Sequence, residues 1–188
     1  MEVTPAFIRE VQAKARLLIS RAEIMAAFDR LAIEMKAKLA DKNPLFLVVM
    51  NGGLFCASEM LLRLDFPLQM DYVQATRYSG TTHGSTIQWK KEPGQSVKDR
   101  VIVIVDDILD GGLTLQAVID YCYGEGAKEV YTAVMLDKPT ARMPNVLKRA
   151  DFTGLAIENK YVYGFGLDYH EYLRNIPEIY AVAEQHMI

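Results

Sequence analysis

Apolar residues occur in short runs along this chain, and polar or glycine-rich segments separate the runs. The most regular run is Val101–Val105, which consists of five consecutive β-branched residues. Such a run is typical of a strand that is buried on both faces in a parallel sheet. Further apolar runs predict strands at 15–19, 45–50, 68–76, 85–90, 129–136 and 151–157.

Helical patterns follow three of the predicted strands. Ser20 and Glu23 have the spacing of a capping box, which predicts a helix from there to about residue 40. Two more helices are predicted from 53 to about 64 and from 113 to about 125. The alternation predicts an α/β fold with a doubly wound, mainly parallel sheet flanked by helices. In such a sheet, ligands bind beyond the carboxyl ends of the strands.

The composition is that of a globular enzyme. The 188 residues are 51% hydrophobic with a mean hydropathy of +0.03, so we expect one domain with a sizeable core. We see no signal peptide and no apolar stretch that could span a membrane, and we therefore expect a cytoplasmic protein without a membrane partner. A net charge of −3 argues against a nucleic-acid partner. Two distant cysteines and three scattered histidines argue against a zinc site.

Chemistry is concentrated immediately after the Val101–Val105 strand. Asp106 and Asp107 stand where we expect the strand to end, and Asp110 opens a glycine turn before the predicted helix. Backbone N–H groups of such a turn and helix N-terminus can hold a phosphate, while the carboxylates can hold hydroxyls or a metal ion. Aspartate and glycine are also ordinary turn residues, so an isolated Asp-Gly-Gly would indicate little. A second glycine turn, at 51–53, follows the strand at 45–50.

The order of residues 101–114 resembles the phosphoribosyl pyrophosphate motif of the type I phosphoribosyltransferases. In that motif a hydrophobic strand is followed by two acidic residues, two apolar residues, an aspartate and a turn rich in glycine and threonine. Later segments, at 136–142, 161–169 and 171–174, look like the purine-recognition segments of the hypoxanthine-guanine phosphoribosyltransferases. The resemblance covers about residues 45 to 175, and it implies the type I phosphoribosyltransferase fold.

The resemblance also implies a reaction. The enzyme would transfer a 5-phosphoribosyl group from phosphoribosyl pyrophosphate to N9 of hypoxanthine or guanine, giving IMP or GMP and pyrophosphate, with Mg²⁺ as cofactor. Asp110 matches the catalytic general acid or base at purine N7. Asp106 and Asp107 match the pair that serves the ribose hydroxyls and Mg²⁺. The other residues of the implied ribose and phosphate site are Gly111, Gly112, Leu113 and Thr114.

On the purine side, the resemblance assigns base recognition to Lys138. Its ammonium only donates hydrogen bonds, so it suits the acceptor O6 of a 6-oxopurine and disfavours the amino group of adenine. Tyr161 would stack on the ring, and Asp168 would serve the 2-position and a second Mg²⁺. The remaining implied purine contacts are Ile108 and Val162.

On the diphosphate side, the family loop contains a non-proline cis peptide bond, which would fall here between Met50 and Asn51. The implied diphosphate ligands are Asn51, Gly52, Arg142 and Arg174. A flexible lid loop at about 77–90 would close over the diphosphate and exclude water. Its implied residues are Arg77, Tyr78 and Ser79.

The resemblance implies a single domain over residues 1–188, with a small hood built from the N-terminal segment and roughly 155–188. It also implies a homodimer or homotetramer, with the helix after the 51–53 turn near an interface. The apolar segment 55–64 is consistent with that, although a helix of the core would look similar.

Several positions depart from the family pattern, and two other functions stay open. Gly111 and Leu113 leave the phosphate turn with one hydroxyl donor fewer than usual, and Asn51 stands where a lysine is frequent. We hypothesise that Arg77 replaces the charge missing at Asn51. One alternative function is a nucleotide-sensing regulator on the same fold, because fold does not dictate function. The other is a phosphoribosyltransferase that prefers xanthine.

Overall fold

The structure is a computed structural model that describes residues 3–77 and 87–187. Its α-helices are Pro5–Lys14 (α1), Arg21–Leu39 (α2), Gly53–Leu61 (α3) and Leu113–Gly124 (α4). Its strands are Arg16–Ile19 (β1), Leu45–Val49 (β2), Gln69–Arg77 (β3), Ile87–Lys91 (β4), Val101–Leu109 (β5), Glu129–Asp137 (β6), Phe152–Ala156 (β7), Val162–Tyr163 (β8) and Ile179–Ala181 (β9). Across the described ranges, no helix combines the length and the apolar character needed to cross a bilayer.

The larger sheet has six strands in the order β4-β3-β2-β5-β6-β7. All neighbours are parallel except β3 and β4, so the predicted α/β fold with a mainly parallel sheet is confirmed. Strand β5 is central, and alternate side chains of its apolar run face opposite cores. Val103 and Val105 pack on the face covered by α2 and α3, whereas Ile102 and Ile104 pack on the face covered by α4. Both faces of this part of β5 are therefore buried, as the continuous β-branched run predicted.

A second, three-stranded sheet joins the two ends of the chain. Its order is β1-β9-β8, and all its pairs are antiparallel. Helix α1 packs on this part of the molecule through Ile8 and Val11, which share a buried cluster with Tyr163 and Tyr169. The sheet contains residues from both segments that we assigned to a hood, and the hood itself stays a prediction.

Helix α2 begins with the predicted capping box. Ser20 Oγ accepts a hydrogen bond from the Glu23 N–H at 3.4 Å, and the Ser20 N–H donates to Glu23 Oε2 at 2.8 Å. Two N–H groups that have no intrahelical partner are thereby satisfied. The predicted capping box is confirmed.

Strand β5 is longer than the apolar run predicted. We expected it to end at residue 105, but it continues to Leu109, which pairs with Asp137 of β6. The neighbouring parallel strand offers backbone partners to the polar residues, so hydrogen bonding carries the strand past its apolar part. Asp106 and Asp107 consequently lie within β5 rather than after it.

Helix α1 was not predicted. Its start carries recognisable signals, because Thr4 caps the helix by accepting from the Phe7 N–H at 3.3 Å and Pro5 occupies the first turn. Both cysteines, Cys56 in α3 and Cys122 in α4, are buried and free.

The predicted lid at 77–90 is only partly described. Arg77 ends β3, and 87–90 form the start of β4, which runs antiparallel to β3. Tyr78, Ser79 and the rest of 78–86 lie outside the described residues, as does the side chain of Arg77.

Replacing Ser20 with alanine removes the oxygen that caps α2. We expect Ser20→Ala to lower the free energy of unfolding by about 1 kcal/mol. Urea denaturation followed by circular dichroism measures this change. Ser58→Ala is the matched control, since Ser58 is exposed within α3 and alanine there should be neutral or slightly stabilising. Equal stability of Ser20→Ala and wild type would contradict the role of the cap.

Candidate active site

A cleft lies beyond the carboxyl ends of β2 and β5, where the parallel sheet predicts ligand binding. It consists of two adjoining cavities of about 220 and 400 Å³ that share Asp106, Asp107 and Thr114. The smaller cavity is also lined by Ile108, Leu109, Asp110, Gly112 and Leu115. The larger is also lined by Val49, Met50, Asn51, Gly52, Gln74, Ala75, Lys90, Asp168, Glu171 and Arg174.

The turn between β5 and α4 has the geometry of an anion site. Gly112 adopts φ +87° as the N-cap of α4, and a side chain at this position would meet Val146 Cγ2 at 2.9 Å and the Leu147 carbonyl oxygen at 3.1 Å. Only glycine fits both the backbone angle and the space. Gly112 has no side chain to cap α4, so the N–H groups of the first turn have no side-chain cap. Thr114 of this turn lines both cavities.

Asp106 and Asp107 form a buried pair of like charges at the floor of the cleft. Their exposed fractions are 8% and 9%, and the Asp107 N–H donates to Asp106 Oδ1 at 2.9 Å. Burial and the charge of Asp107 hold the pKa of Asp106 well above its ordinary value. Burial also raises the pKa of Asp107 to about 6, although the positive charge of Arg174 opposes this rise. A carboxylate pair of this kind is suited to bind a cation or to accept hydrogen bonds from hydroxyl groups.

The glycine turn after β2 packs directly against the acidic pair. A side chain at Gly52 would collide with the carboxylate of Asp107, and one at Gly53 would meet the Val105 carbonyl oxygen at 2.8 Å. The peptide bond between Met50 and Asn51 is cis, as predicted. The two glycine turns that the sequence placed 55 or more positions apart therefore share one cleft, because β2 and β5 are parallel neighbours.

The C-terminal segment closes one side of the cleft. Arg174 Nη2 lies 2.8 Å from Asp168 Oδ1 and 3.0 Å from Glu171 Oε2, and its Nη1 donates to the Gly166 carbonyl at 2.8 Å. Gly166 has φ +99°, and a side chain there would collide with the carbonyl of Gly52. This segment therefore holds Arg174 and Asp168 beside the turn that follows β2.

Asp110 and Lys138 meet at the ends of β5 and β6. Lys138 Nζ lies 3.4 Å from Asp110 Oδ2. Lys138 is only 6% exposed, whereas the side chain of Asp110 is 44% exposed. The Lys138 N–H donates to the Leu109 carbonyl at 3.1 Å, which continues the β5–β6 pairing by one step. Parallel pairing thus brings together two side chains that are 28 positions apart.

Val162 begins β8 of the second sheet, and Tyr161 directly precedes it. Val162 is buried in β8, and the Tyr161 carbonyl accepts from the Val182 N–H at 2.9 Å. The Tyr161 side chain is 44% exposed and meets Tyr169 edge to face, with ring centroids 5.7 Å apart. These residues and Lys138 do not line the two cavities described above.

Arg142, expected among the diphosphate ligands, turns away from the cavities. Its Nη1 donates to the carbonyl oxygens of Leu109 at 2.6 Å and Lys138 at 3.0 Å, and its Nη2 pairs with the carboxylate of Asp137. The physical reason is the crowding of carbonyls at the ends of β5 and β6, which offers a buried guanidinium several acceptors.

Sequence reasoning did not single out several residues of the larger cavity. Lys90 comes from β4, and Gln74 and Ala75 come from β3. The signal for them is the predicted pair of strands around the lid, since antiparallel pairing of β3 with β4 carries Lys90 to the edge where β2 ends. Glu171 lines the cavity together with Arg174. The Glu171 N–H donates a hydrogen bond to the carboxylate of Asp168 at 2.9 Å.

Comparison with known proteins agrees with this geometry. The family model for the phosphoribosyl transferase domain matches residues 19–170. The hypoxanthine-guanine phosphoribosyltransferase of Streptococcus pneumoniae (strain R6) is 33% identical over 171 residues, which cover 90% of this chain and 94% of that protein. The bifunctional protein TilS/HprT of Listeria innocua is 35% identical over 87% of this chain, which spans 25% of the length of that protein.

A solved structure shows the same fold over the whole chain. The hypoxanthine phosphoribosyltransferase from Staphylococcus aureus superposes with a TM-score of 0.87, covers 100% of both chains and is 23% identical. The structural likeness establishes only the fold. The sequence matches establish the family to which the chain belongs. This chain belongs to the hypoxanthine-guanine phosphoribosyltransferase family.

Proposed function

We propose that this protein is a purine-salvage enzyme that transfers the 5-phosphoribosyl group of phosphoribosyl pyrophosphate to hypoxanthine or guanine. The observation that carries this proposal is the 3.4 Å contact between Lys138 Nζ and Asp110 Oδ2 beside the phosphate turn. O6 and N7 lie on one edge of a 6-oxopurine. In the tautomer with a free lone pair at N9, O6 accepts a hydrogen bond and N7 carries the proton. A buried ammonium donor and a neighbouring carboxylate acceptor match that edge.

In the proposed reaction, the bond from C1 of the ribose to the diphosphate oxygen breaks and a bond from C1 to purine N9 forms. The diphosphate leaves with the electron pair, and the proton lost by the purine passes to Asp110 at N7. The N-terminus of α4 and the turn Asp110–Thr114 bind the 5′-phosphate through backbone N–H groups. Asp106 and Asp107 hold the ribose hydroxyls and favour the positive charge that develops at C1.

The diphosphate is proposed to lie in the larger cavity, against Asn51 and Gly52. Arg174 and Lys90 line this cavity and carry positive charge. Fixed cations stabilise the charge that the leaving group acquires. Lys90 thus joins Arg77 as a candidate for the charge that a lysine at position 51 would have supplied.

The residues present fit Mg²⁺. Asp106 and Asp107 are hard oxygen donors. Burial raises the pKa of both carboxyl groups, and the charge of Asp107 adds to the rise at Asp106, so a bound cation would favour their charged forms. Within 3–77 and 87–187, no three acidic, histidine or cysteine side chains form a metal cage. Mg²⁺ in phosphate-transferring sites is held by one or two carboxylates plus substrate oxygens, so this donor set suffices. Bound Mg²⁺ would neutralise diphosphate charge. Asp168 is a further candidate ligand, although it is paired with Arg174.

Lys138 makes the site selective for 6-oxopurines in this proposal. Its ammonium donates to O6 and has no acceptor for the amino group of adenine. Its burial sharpens this choice, because an unpaired polar group in a buried site is costly. Ile108 and Tyr161 would pack on the ring faces, and the Val162 backbone would meet the Watson–Crick edge. Relatives named for hypoxanthine and guanine and one named also for xanthine are consistent with this substrate class.

We propose a homodimer or homotetramer. The face of α3 and β3 carries exposed apolar side chains, including Leu62 at 83% and Met70 at 57%, and neighbouring Leu54 and Tyr72 are also exposed. Apolar patches of this kind mark association surfaces.

We also propose a cytoplasmic location and a hood built from the N-terminal segment and roughly 155–188.

The activity is tested by mixing the protein with phosphoribosyl pyrophosphate and Mg²⁺ and offering hypoxanthine, guanine, xanthine and adenine separately. Nucleotide formation is followed by ultraviolet absorbance. We expect turnover with hypoxanthine and guanine and none with adenine. Turnover confined to xanthine would favour the alternative base. Donor binding without turnover on any base would favour the nucleotide-sensing regulator.

Asparagine at position 110 cannot take a proton from the purine. We expect Asp110→Asn to lower kcat for hypoxanthine at least about 100-fold, with the KM for phosphoribosyl pyrophosphate within a few-fold of wild type. Steady-state kinetics measure both constants. Asp120→Asn, an exposed aspartate of α4, is the matched control and should behave as wild type. An Asp110→Asn enzyme that keeps more than a tenth of kcat would contradict the assigned proton transfer.

The acidic pair should make the metal-free protein less stable near neutral pH. The pKa of Asp107 is raised to about 6, so ionisation of this carboxyl group lowers the free energy of unfolding. This loss of stability is absent below about pH 4 and complete above about pH 6. Asp107→Asn should therefore raise the free energy of unfolding at pH 7.5 by up to about 3 kcal/mol and change it little at pH 4, while abolishing turnover. Thermal melts in chelator at both pH values measure this.

Asp71→Asn provides the control of opposite sign. Burial tends to raise the pKa of Asp71, but hydrogen bonds from the N–H groups of Gln95, Tyr72 and Gly94 outweigh it and lower the pKa. This variant should be less stable than wild type at pH 7.5, with the difference shrinking as the pH falls below about 4. An Asp107→Asn protein that is also destabilised at pH 7.5 would contradict the cost assigned to the acidic pair.

A further inference from the structure

Arg142 is buried and fully engaged with the protein. Its side chain is only 6% exposed, and it pairs with the carboxylate of Asp137, which is itself 13% exposed. A guanidinium in this environment is not available to a diphosphate, because breaking the pair would leave Asp137 as a buried charge without a partner.

The carbonyl oxygens that accept hydrogen bonds from Arg142 lie on both segments that form the Asp110–Lys138 contact. Nη1 donates to the Leu109 and Asp110 carbonyls at the end of β5 and to the Lys138 carbonyl at the end of β6. Nε donates to the Lys148 carbonyl at 3.1 Å in the loop that follows. One side chain therefore ties together the backbones that carry Asp110 and Lys138.

The same backbones have few other bonds at this point. The Lys138 N–H reaches Leu109, and the Met143 N–H donates to the Gly111 carbonyl at 3.1 Å, but regular pairing of β5 with β6 stops at Leu109 and Asp137. Asp110 and Lys138 are therefore the first residues beyond the sheet. Strand pairing brings these two residues to the same edge, and beyond the last paired residues the Arg142 guanidinium bonds to the backbones of both segments.

We propose that Arg142 is a positioning residue that sets the separation of Asp110 and Lys138, and through it the fit to N7 and O6 of the purine. The inference rests on the proposed function of those two residues. It replaces the expected role of Arg142 as a diphosphate ligand.

Arginine suits this role for a geometric reason. Nη1 has two hydrogens and faces three carbonyl oxygens, while Nη2 and Nε point in two further directions fixed by the planar group. A lysine keeps the charge but has a single donor nitrogen and cannot bridge these acceptors. Charge alone is sufficient for attraction to a diphosphate, so Arg142→Lys separates the two roles.

The test compares Arg142→Lys with wild type in steady-state kinetics with hypoxanthine and phosphoribosyl pyrophosphate varied in turn. We expect kcat to fall and the KM for hypoxanthine to rise, each about tenfold, because small misplacements of catalytic groups are costly. The KM for phosphoribosyl pyrophosphate should stay within about twofold of wild type. Guanine should show the same pattern, since it shares N7 and O6.

Arg63→Lys is the matched control. Arg63 is a partly buried arginine that pairs with Asp29 and Glu59 away from the cleft, so its replacement tests loss of an arginine network as such. We expect a lower melting temperature with both KM values unchanged. If Arg142→Lys merely repeats that result, or if it raises only the KM for phosphoribosyl pyrophosphate, the proposal is overturned.

Asp137→Asn decides the matter if Arg142→Lys does not fold. Asparagine keeps an acceptor oxygen for Nη2 but loosens the charge pair, so the hypoxanthine KM should rise roughly threefold while the other KM stays constant. An unchanged hypoxanthine KM in a folded Asp137→Asn protein would count against the proposal. Wild-type protein without any turnover would remove the proposed function and this inference together, whereas wild-type turnover with the contrary variant pattern would remove only this inference.

Discussion

The parallel pairing of β5 with β2 on one side and β6 on the other is the constraint on which the site depends. Parallel strands end at the same edge of a sheet, so the segments that leave these three strands must share one volume. The two glycine turns, the acidic pair and the Asp110–Lys138 contact all arise from this arrangement. Strand β5 is stable in this central position because its apolar run is buried on both faces. Burial of such side chains is the main source of folding free energy.

The acidic pair shows how function and stability oppose each other at this edge. Extension of β5 to Leu109 places Asp106 and Asp107 inside the sheet, where water is largely excluded and each negative charge is costly. The absence of a side chain at Gly52 leaves room for the Asp107 carboxylate, and Arg174 supplies a compensating charge from a distant part of the chain. The surrounding sheet must provide enough stability to hold two carboxylates at the floor of the cleft.

Both ends of the chain contribute to the site through the second sheet. Strand β9 pairs with β1 and β8, and the segment between β8 and β9 carries Asp168 and Arg174 to the turn after β2. Gly166 permits a close approach to Gly52 that any side chain would prevent. The Tyr161 ring is supported in the same region by Tyr169, whose hydroxyl donates to the His186 carbonyl at 2.6 Å. Residues near the end of the chain thus support the part of the molecule that carries Tyr161.

The sequence by itself determined the α/β class, the main strands and helices, the capping box at Ser20 and the phosphate turn, because each depends on local periodicity or on neighbouring residues. The family resemblance added the roles that we propose for residues such as Asp110 and Lys138. Only the tertiary structure decided the length of β5, the short strands β8 and β9, and the entry of Lys90 into the cleft. Only it revealed that Arg142 binds the carbonyls of two strand ends. Those features depend on backbone hydrogen bonds and packing between distant segments, and no local pattern of side chains encodes them.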